Sequence, residues 1–118
     1  MLNPNTIPSN EIDITNDSEE WLSVCTQILN CCWKVKGANV FHKAVDVVKF
    51  ELPDYYDFVK IPMDFGSIKK KLSFNVYISA QEFINDMDLV FKNCEAYNGI
   101  VSEVGLIGVS INKEFKRL

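Results

Sequence analysis

The stretch that decides the fold runs from Phe91 to Gly99, FKNCEAYNG, and closes an apolar pattern that begins at Ala80. Seven positions form one stripe with spacings of three or four residues, apart from the adjacent pair Phe83 and Ile84: Ala80, Phe83, Ile84, Met87, Phe91, Cys94 and Asn98. This spacing predicts a helix with one face turned toward a core. Asn98 is the amide on that face, and Gly99 directly after it can end the helix.

Asn98 therefore places a polar side chain on an otherwise apolar stripe. An amide that is buried without a partner costs about 1–3 kcal/mol. The residues alone leave two interpretations open. In the first, Asn98 is a helix cap and Asn-Gly is a turn signal. In the second, Asn98 donates a hydrogen bond to a carbonyl oxygen of a bound group.

The composition is that of a single globular domain. The chain has 118 residues, of which 47% are hydrophobic, and this is enough for one real core. No apolar run approaches the ~20 residues of a membrane span, so we expect no membrane association. The opening MLNPNTIPSN lacks the basic and apolar regions of a secretory signal. The net charge of −4 argues against direct nucleic-acid binding. It is compatible with a Lys-rich partner, or it only keeps the protein soluble.

We expect the four cysteines to be reduced thiols, because no secretory signal precedes them. Cys25, Cys32 and Cys94 fit buried helical stripes, whereas structural zinc usually needs Cys or His pairs a few residues apart. His42 is the single histidine, so we expect no metal and no cofactor. The sequence does not support an enzymatic function. It contains no Gly-rich phosphate loop, and the only candidate nucleophile, Cys94, has no cationic neighbour in the sequence that would lower its pKa.

Four amphipathic helices are predicted along the chain. Residues 1–16, rich in Pro, Asn, Thr and Ser, are typical of a flexible lead-in, and residues 17–118 form the domain. Asp17 and Glu20 match a capping box that begins the first helix. Gly37 is expected to end this helix.

The later helices have clear start signals. Asp64 is predicted to cap the second helix, and Ser79 with Glu82 to begin the third. Gly105 and Gly108 weaken the start of the last helix by roughly 1 kcal/mol each relative to Ala. The core-facing positions of the second and last helices are Phe65, Ile68, Leu72, Val104, Ile107, Ile111 and Phe115. The run Lys69, Lys70 and Lys71 indicates a solvated helix face rather than a nucleic-acid contact.

A connection that spans residues 38–63 separates the first and second helices. Within it, Val45 to Leu52 alternates loosely, as a strand does, but no second strand appears to pair with it. Pro53 can open a single helical turn through Tyr55. The predicted fold is therefore all-α, a four-helix bundle on which this apolar loop folds back.

With these residues in place, the chain resembles a bromodomain. The matching segments are FHKAVDVVKFELPDYYDFVKIPMDFGSIKKKL, residues 41–72, and FINDMDLVFKNCEAYNG, residues 83–99. The tail SEVGLIGVSINKEF is similar to the last helix of the family, so the resemblance covers roughly residues 18–118. It implies a left-handed four-helix bundle with a pocket at one end, between the long loop and the short loop after Asn98. The implied ligand is acetylated lysine.

The resemblance also implies a role for each pocket residue. Asn98 would donate its side-chain N–H to the acetyl oxygen, and Tyr55 would hold a water that makes the second contact to that oxygen. Phe41 would lie near the acetyl methyl group, and Val104 would close one side as the gatekeeper. The rest of the wall would consist of Val45, Phe50, Leu52, Cys94 and Tyr97.

The function implied by the resemblance is that of a binding module in a larger chromatin protein. Its partners would be an acetylated histone peptide and, through flanking domains, other chromatin proteins. We expect a nuclear monomer. One departure is that the Trp-Pro-Phe triplet of the family is Asn39-Val40-Phe41 here, which removes apolar area that a ligand stem would cover. The hypothesis is weaker or differently selective binding. The alternative is a helical interaction scaffold with a weak or vestigial pocket.

Overall fold

The computed structural model describes the backbone of residues 9–118 and the side chains of residues 20–118. This part of the chain contains helices and no strand. The helices are α1 (Ser9–Trp33), α2 (Tyr55–Phe58), α3 (Phe65–Ser73), α4 (Ala80–Asn98) and α5 (Glu103–Arg117), with a 3-10 helix (Ala38–Phe41) between α1 and α2. The four longer helices form the predicted all-α bundle, and α2 is the predicted single turn. None of the helices between residues 9 and 118 has the length and apolar content of a membrane span.

Helices α1, α3, α4 and α5 share one apolar core. The largest fully buried side chains are Phe65, Phe83, Leu29, Ile68, Met87, Ile111, Val59 and Cys32. The ring of Phe91 on α4 lies 6.2 Å from that of Phe65 on α3 and 5.8 Å from that of Phe115 on α5. Burying one such side chain stabilises the fold by about 1.5–3 kcal/mol. The predicted stripe of α4 is thus confirmed as the face that joins α3 to α5.

Helix α1 begins and ends earlier than the sequence predicts. It starts at Ser9, so Asp17 lies inside it and the prediction that Asp17 caps it is wrong. No Gly or Pro between Ser9 and Asp17 stops the helix. At the other end, α1 stops at Trp33, and Gly37, with φ of +88°, instead precedes the 3-10 helix. Residues 1–8 of the predicted lead-in lie outside the described residues, and the domain boundary at residue 17 stays a prediction.

The starts of α3 and α4 follow the predicted positions with one difference in chemistry. The Asp64 carboxylate accepts hydrogen bonds from the Ser67 N–H at 2.9 Å and the Ser67 hydroxyl at 2.8 Å, which caps α3. The hydroxyl of Ser79 makes no capping bond to α4. Glu82 instead accepts from the Ile78 N–H at 2.7 Å, one residue before the cap. The predicted capping box is therefore only half formed.

Gly105 and Gly108 lie where α5 approaches the C-terminal end of α4. A Cβ added at Gly105 would overlap the carbonyl oxygen of Gly99, and one at Gly108 would lie 2.8 Å from Cys94 Sγ. Glycine permits this close approach because it has no Cβ. The predicted weakening of the helix start is therefore the cost of a contact that a larger residue would prevent.

Candidate functional site

Asn98 is the last residue of α4 and is half-buried. Gly99, with φ of +74°, ends the helix, and its N–H donates to the Glu95 carbonyl at 2.8 Å. The side-chain nitrogen of Asn98 lies 3.9 Å from Cys94 Sγ, a long contact to a weak sulfur acceptor. Among the described residues, no backbone oxygen accepts a hydrogen bond from this amide, so its donor capacity is largely unused.

Ser102 joins the end of α4 to the start of α5. Its hydroxyl donates to the Asn98 carbonyl at 2.7 Å and accepts from the Gly105 N–H at 3.0 Å. One side chain thus caps α5 and holds the last carbonyl of α4. This double contact fixes the backbone from which the Asn98 side chain projects, and no pattern in the sequence predicts it.

Tyr55 and Tyr97 bring the long loop against α4. Tyr55 is 7% exposed, and its ring lies 5.0 Å from that of Tyr97 at 65°, an edge-to-face contact. The Tyr97 hydroxyl donates to Asp54 Oδ1 at 2.8 Å, and this bond is the main cause that raises the pKa of Tyr97. Burial raises the pKa of Tyr55, with smaller contributions from Tyr56 and Cys94. Both phenols therefore stay neutral at ordinary pH.

A second hydrogen bond from α4 holds the same loop. The Asn93 side chain donates to the Ile61 carbonyl at 2.8 Å. Asn93 precedes Tyr97 by one helical turn, so α4 fixes the loop at two successive turns. Asn93 and Asp54 could not be identified from the sequence, because their partners lie 32 and 43 residues away in the chain and no local pattern marks such pairs.

Cys94, one helical turn before Asn98, contacts the Val104 carbonyl and lies with Phe41 against Gly108. Cys94 is 6% exposed, its thiol donates to the Val104 carbonyl at 3.6 Å, and burial raises its pKa. The half-buried Phe41 ring lies 5.8 Å from that of Phe65. A Cβ at Gly108 would be 2.8 Å from Cys94 Sγ and 3.7 Å from the tip of Phe41. Both side chains therefore face the same glycine.

The loop residues predicted as pocket wall differ in their exposure. Val45 and Leu52 are half-buried. Phe50 is 59% exposed, and Lys49 Nζ lies 5.4 Å from its ring. The loose alternation here belongs to turns rather than a strand, with the Leu52 N–H donating to the Val47 carbonyl at 2.9 Å. That these three residues, Val45, Phe50 and Leu52, line a ligand stays a prediction.

The arrangement suits recognition rather than acid–base or metal chemistry. An amide donor, a neutral buried phenol and a neutral thiol adjoin apolar side chains, and the nearby Asp54 carboxylate accepts from Tyr97. Within residues 20–118, no three His, Cys, Asp or Glu side chains are grouped to hold a metal ion. Fold and site together define a helical module whose chemistry suits the recognition of a neutral polar group.

Comparison with known proteins identifies the family. The family model described as Bromodomain matches residues 25–107, so the chain belongs to the bromodomain family, as the motifs predict. Bromodomains are acetyl-lysine-binding modules and not enzymes.

Two fission-yeast proteins are similar to this chain. It is 43% identical over 93 residues to the SWR1 complex bromodomain subunit bdf1 of Schizosaccharomyces pombe. The aligned residues make up 79% of this chain and 16% of that protein. It is 48% identical over 77 residues to the bromodomain-containing protein C631.02 of the same species. Here the aligned residues make up 65% of this chain and 11% of that protein. The chain thus spans only a small part of the length of either relative.

Proposed function

We propose that this domain binds acetylated lysine on histone tails and that Asn98 donates the hydrogen bond to the acetyl oxygen. The observation that carries the proposal is the half-buried amide at the end of α4, whose nitrogen has only a 3.9 Å contact with a sulfur atom. The family supports the ligand class. A relative named as a subunit of the SWR1 complex supports a nuclear chromatin protein as the setting.

Acetylation makes the ligand suitable for this site. It replaces an ammonium group by a neutral amide with one strong acceptor, and a hydrogen bond to such a group contributes about 0.5–1.5 kcal/mol net. An unmodified lysine would lose its hydration beside Phe41, Cys94 and Val104 without a carboxylate partner, at a cost of several kcal/mol. Selectivity therefore comes as much from exclusion of charge as from the bond to Asn98.

Tyr55 is the second polar group in the proposal. Its phenol is neutral because burial raises its pKa, so it can both donate to and accept from a water molecule. A bridging water between Tyr55 and the acetyl oxygen would be nearly as favourable as a direct bond. The edge-to-face contact with Tyr97 at 5.0 Å holds the phenol in place for this role.

Calorimetric titration with histone-tail peptides, each in acetylated and unmodified form, tests the proposal. We expect binding of acetylated peptides only, and at least a 10-fold loss of affinity in Asn98→Ala because the buried acetyl oxygen then lacks a donor. Asn85→Ala is the matched control, since Asn85 is an exposed asparagine on the same helix. Equal affinities of the Asn98 and Asn85 variants would refute the role of Asn98. Failure of every acetylated peptide to bind would favour the interaction scaffold.

The replacement of the family's Trp-Pro-Phe triplet by Asn39-Val40-Phe41 can be tested in the same titration. Asn39 and Val40 are both exposed, so a tryptophan at residue 39 has space in solvent and offers apolar area to the ligand stem. We expect Asn39→Trp to bind an acetylated peptide more tightly than the wild type. An unchanged or lower affinity would show that the missing indole does not limit binding.

The wider assignments rest on this binding role. We propose that the domain acts as a monomer in the nucleus and that domains outside this sequence contact other chromatin proteins. Sedimentation of the domain with and without an acetylated peptide tests the monomer, which a concentration-dependent increase in mass would contradict.

A further inference from the structure

A cavity of about 280 Å³ lies between α4 and α5. Phe91 and Cys94 of α4, Ile100 of the connecting loop and Val109 of α5 give it apolar walls. Of the residues proposed to bind acetyl-lysine, only Cys94 lines this cavity. It is therefore a space separate from the candidate site.

Two glycines open the α5 wall of this cavity. Gly105 and Gly108 lie about one helical turn apart and both line it, so no side chain from either position fills the space. The volume is below the range of about 300–1,000 Å³ that is usual for pockets of drug-sized ligands. The cavity therefore suits one inserted side chain rather than a larger molecule.

Asn112 supplies a polar group that lacks a hydrogen bond. It lines the cavity, and its side-chain oxygen is buried without a hydrogen-bond partner among the described residues. Native proteins satisfy most buried polar atoms, so such an exception indicates a missing partner. The terminal torsion of asparagine is broad, so a rotation of the amide presents this oxygen to a group in the cavity. Because an amide oxygen is an acceptor, that group must carry a donor.

The charges around the cavity balance. Asp88 and Lys116 line it and form an ion pair at 3.2 Å, and Lys92 and Glu95 add one charge of each sign. A charged group that entered the apolar interior would find no excess of opposite charge to offset its lost hydration. The cavity therefore favours a neutral donor, such as a hydroxyl group.

Exposed apolar side chains adjoin the cavity. Ile100 and Val109 line it, Val101 follows Ile100, and Leu106 shares a second cavity on α5 with Val109. All four residues, here called the apolar rim, are exposed. A cluster of this kind beside a cavity is typical of a surface that binds another protein.

We propose that this surface docks a segment of a partner protein that inserts a tyrosine side chain into the cavity. The ring would contact Phe91 and Cys94, and the hydroxyl would donate to the Asn112 oxygen. Tyrosine combines an apolar ring with one donor at its tip, and it is enriched among the side chains that anchor protein interfaces. The apolar rim would cover the flanking residues of the segment, which favours a peptide over a free phenol.

Binding of the unacetylated pentapeptide Leu-Ser-Tyr-Ser-Leu to isotope-labelled protein, followed by NMR, tests the docking. We expect shifts of the backbone signals of Gly105 and Gly108 and of the side-chain amide signal of Asn112. The analogue with Phe in place of Tyr should bind about 2- to 10-fold more weakly, because it lacks the donor. Absence of binding, equal affinities of the two peptides, or shifts confined to Tyr55 and Asn98 would overturn the proposal.

A matched pair of variants locates the hydrogen bond. Asn112→Leu removes the buried oxygen without leaving a polar group unpaired, so it should reduce the difference between the two peptides to less than about 2-fold. Asn85→Leu changes an exposed asparagine of α4 outside the cavity and should retain the full difference. A preference for tyrosine that persists in Asn112→Leu would refute the role of Asn112.

Two further titrations separate the alternatives. Para-cresol offers the same ring and hydroxyl without flanking residues, and it should bind at least about 10-fold more weakly than the peptide because it leaves the apolar rim uncovered. Equal binding of para-cresol would indicate a site for small phenols and refute the docking. An excess of acetylated histone peptide should not displace the tyrosine peptide, and displacement would refute a separate site. Failure of acetyl-lysine binding would leave these outcomes unchanged.

Discussion

Replacing Gly105 by alanine tests whether close helix packing outweighs helix propensity. A Cβ at residue 105 would overlap the Gly99 carbonyl oxygen and would lie 2.9 Å from the carbonyl carbon and 3.0 Å from Ser102 Oγ. Two of these three neighbours are backbone atoms, so no side-chain rotation relieves the overlap. The start of α5 would have to move away from the end of α4.

The magnitude follows from two opposing effects. Alanine is favoured over glycine inside a helix by about 1 kcal/mol, and Gly105 lies in the first turn, where this gain is smaller. Overpacking costs about 1–3 kcal/mol, and displacement would also weaken the Ser102 cap, which contributes about 1 kcal/mol. We therefore expect Gly105→Ala to lower the free energy of unfolding by about 1–3 kcal/mol. Because Ser102 also holds the Asn98 carbonyl, peptide affinity should fall as well.

Urea unfolding followed by circular dichroism provides the measurement. Ser110→Ala is the control, since Ser110 is an exposed residue of the same helix and its replacement should change stability by less than about 0.5 kcal/mol. Gly108→Ala should be less damaging than Gly105→Ala, because the atom it meets at 2.8 Å is the side-chain sulfur of Cys94. A Gly105→Ala protein as stable as the wild type, or more stable, would refute the reasoning.

Two further predictions concern the long loop and the buried thiols. Tyr97→Phe removes the 2.8 Å bond to Asp54 but keeps the ring, so acetylated-peptide affinity should fall a few-fold while the stability of the fold changes little. Tyr56→Phe is the control, and equal peptide affinities of the Tyr97 and Tyr56 variants would contradict this. Burial is the main cause that raises the pKa of the Cys32 thiol from 9.0 to about 12. Between these pH values the folded protein keeps a proton that the unfolded chain loses. The free energy of unfolding should therefore fall by up to about 1.4 kcal/mol per pH unit as the pH rises through this range. Unfolding from pH 8 to 11 should show a shallower decline in Cys32→Ala, and identical slopes would contradict the assignment.

Much of the fold follows from the sequence because its signals are local. The stripe of α4, the Asp64 cap and the turn at Tyr55 each involve residues within one or two helical turns. The prediction at Asp17 was wrong because a capping pattern shows that a residue can begin a helix, not that the preceding residues fail to continue it. Gly37 was misassigned for a similar reason, since the chain had already left the helix at Trp33.

The site could be predicted only in part, because its supporting contacts are long-range. The position of Asn98 at the end of α4 was visible in the periodicity, and the motifs supplied the family. The bonds from Tyr97 to Asp54 and from Asn93 to Ile61 join segments 43 and 32 residues apart. Such long-range pairs cannot be predicted from sequence spacing. The spacing also does not show that Phe50 is largely exposed.

The orientation of the Asn98 amide depends on how α4 ends. Gly99 takes a positive φ that ends the helix there, and the Ser102 hydroxyl holds the last carbonyl while it caps α5. Gly105 allows α5 to begin close enough for that bond to form. Because the amide projects from this joint, a change that separates the two helices moves the donor without touching a ligand contact. The glycines that cost helix propensity are thus part of what positions the Asn98 amide.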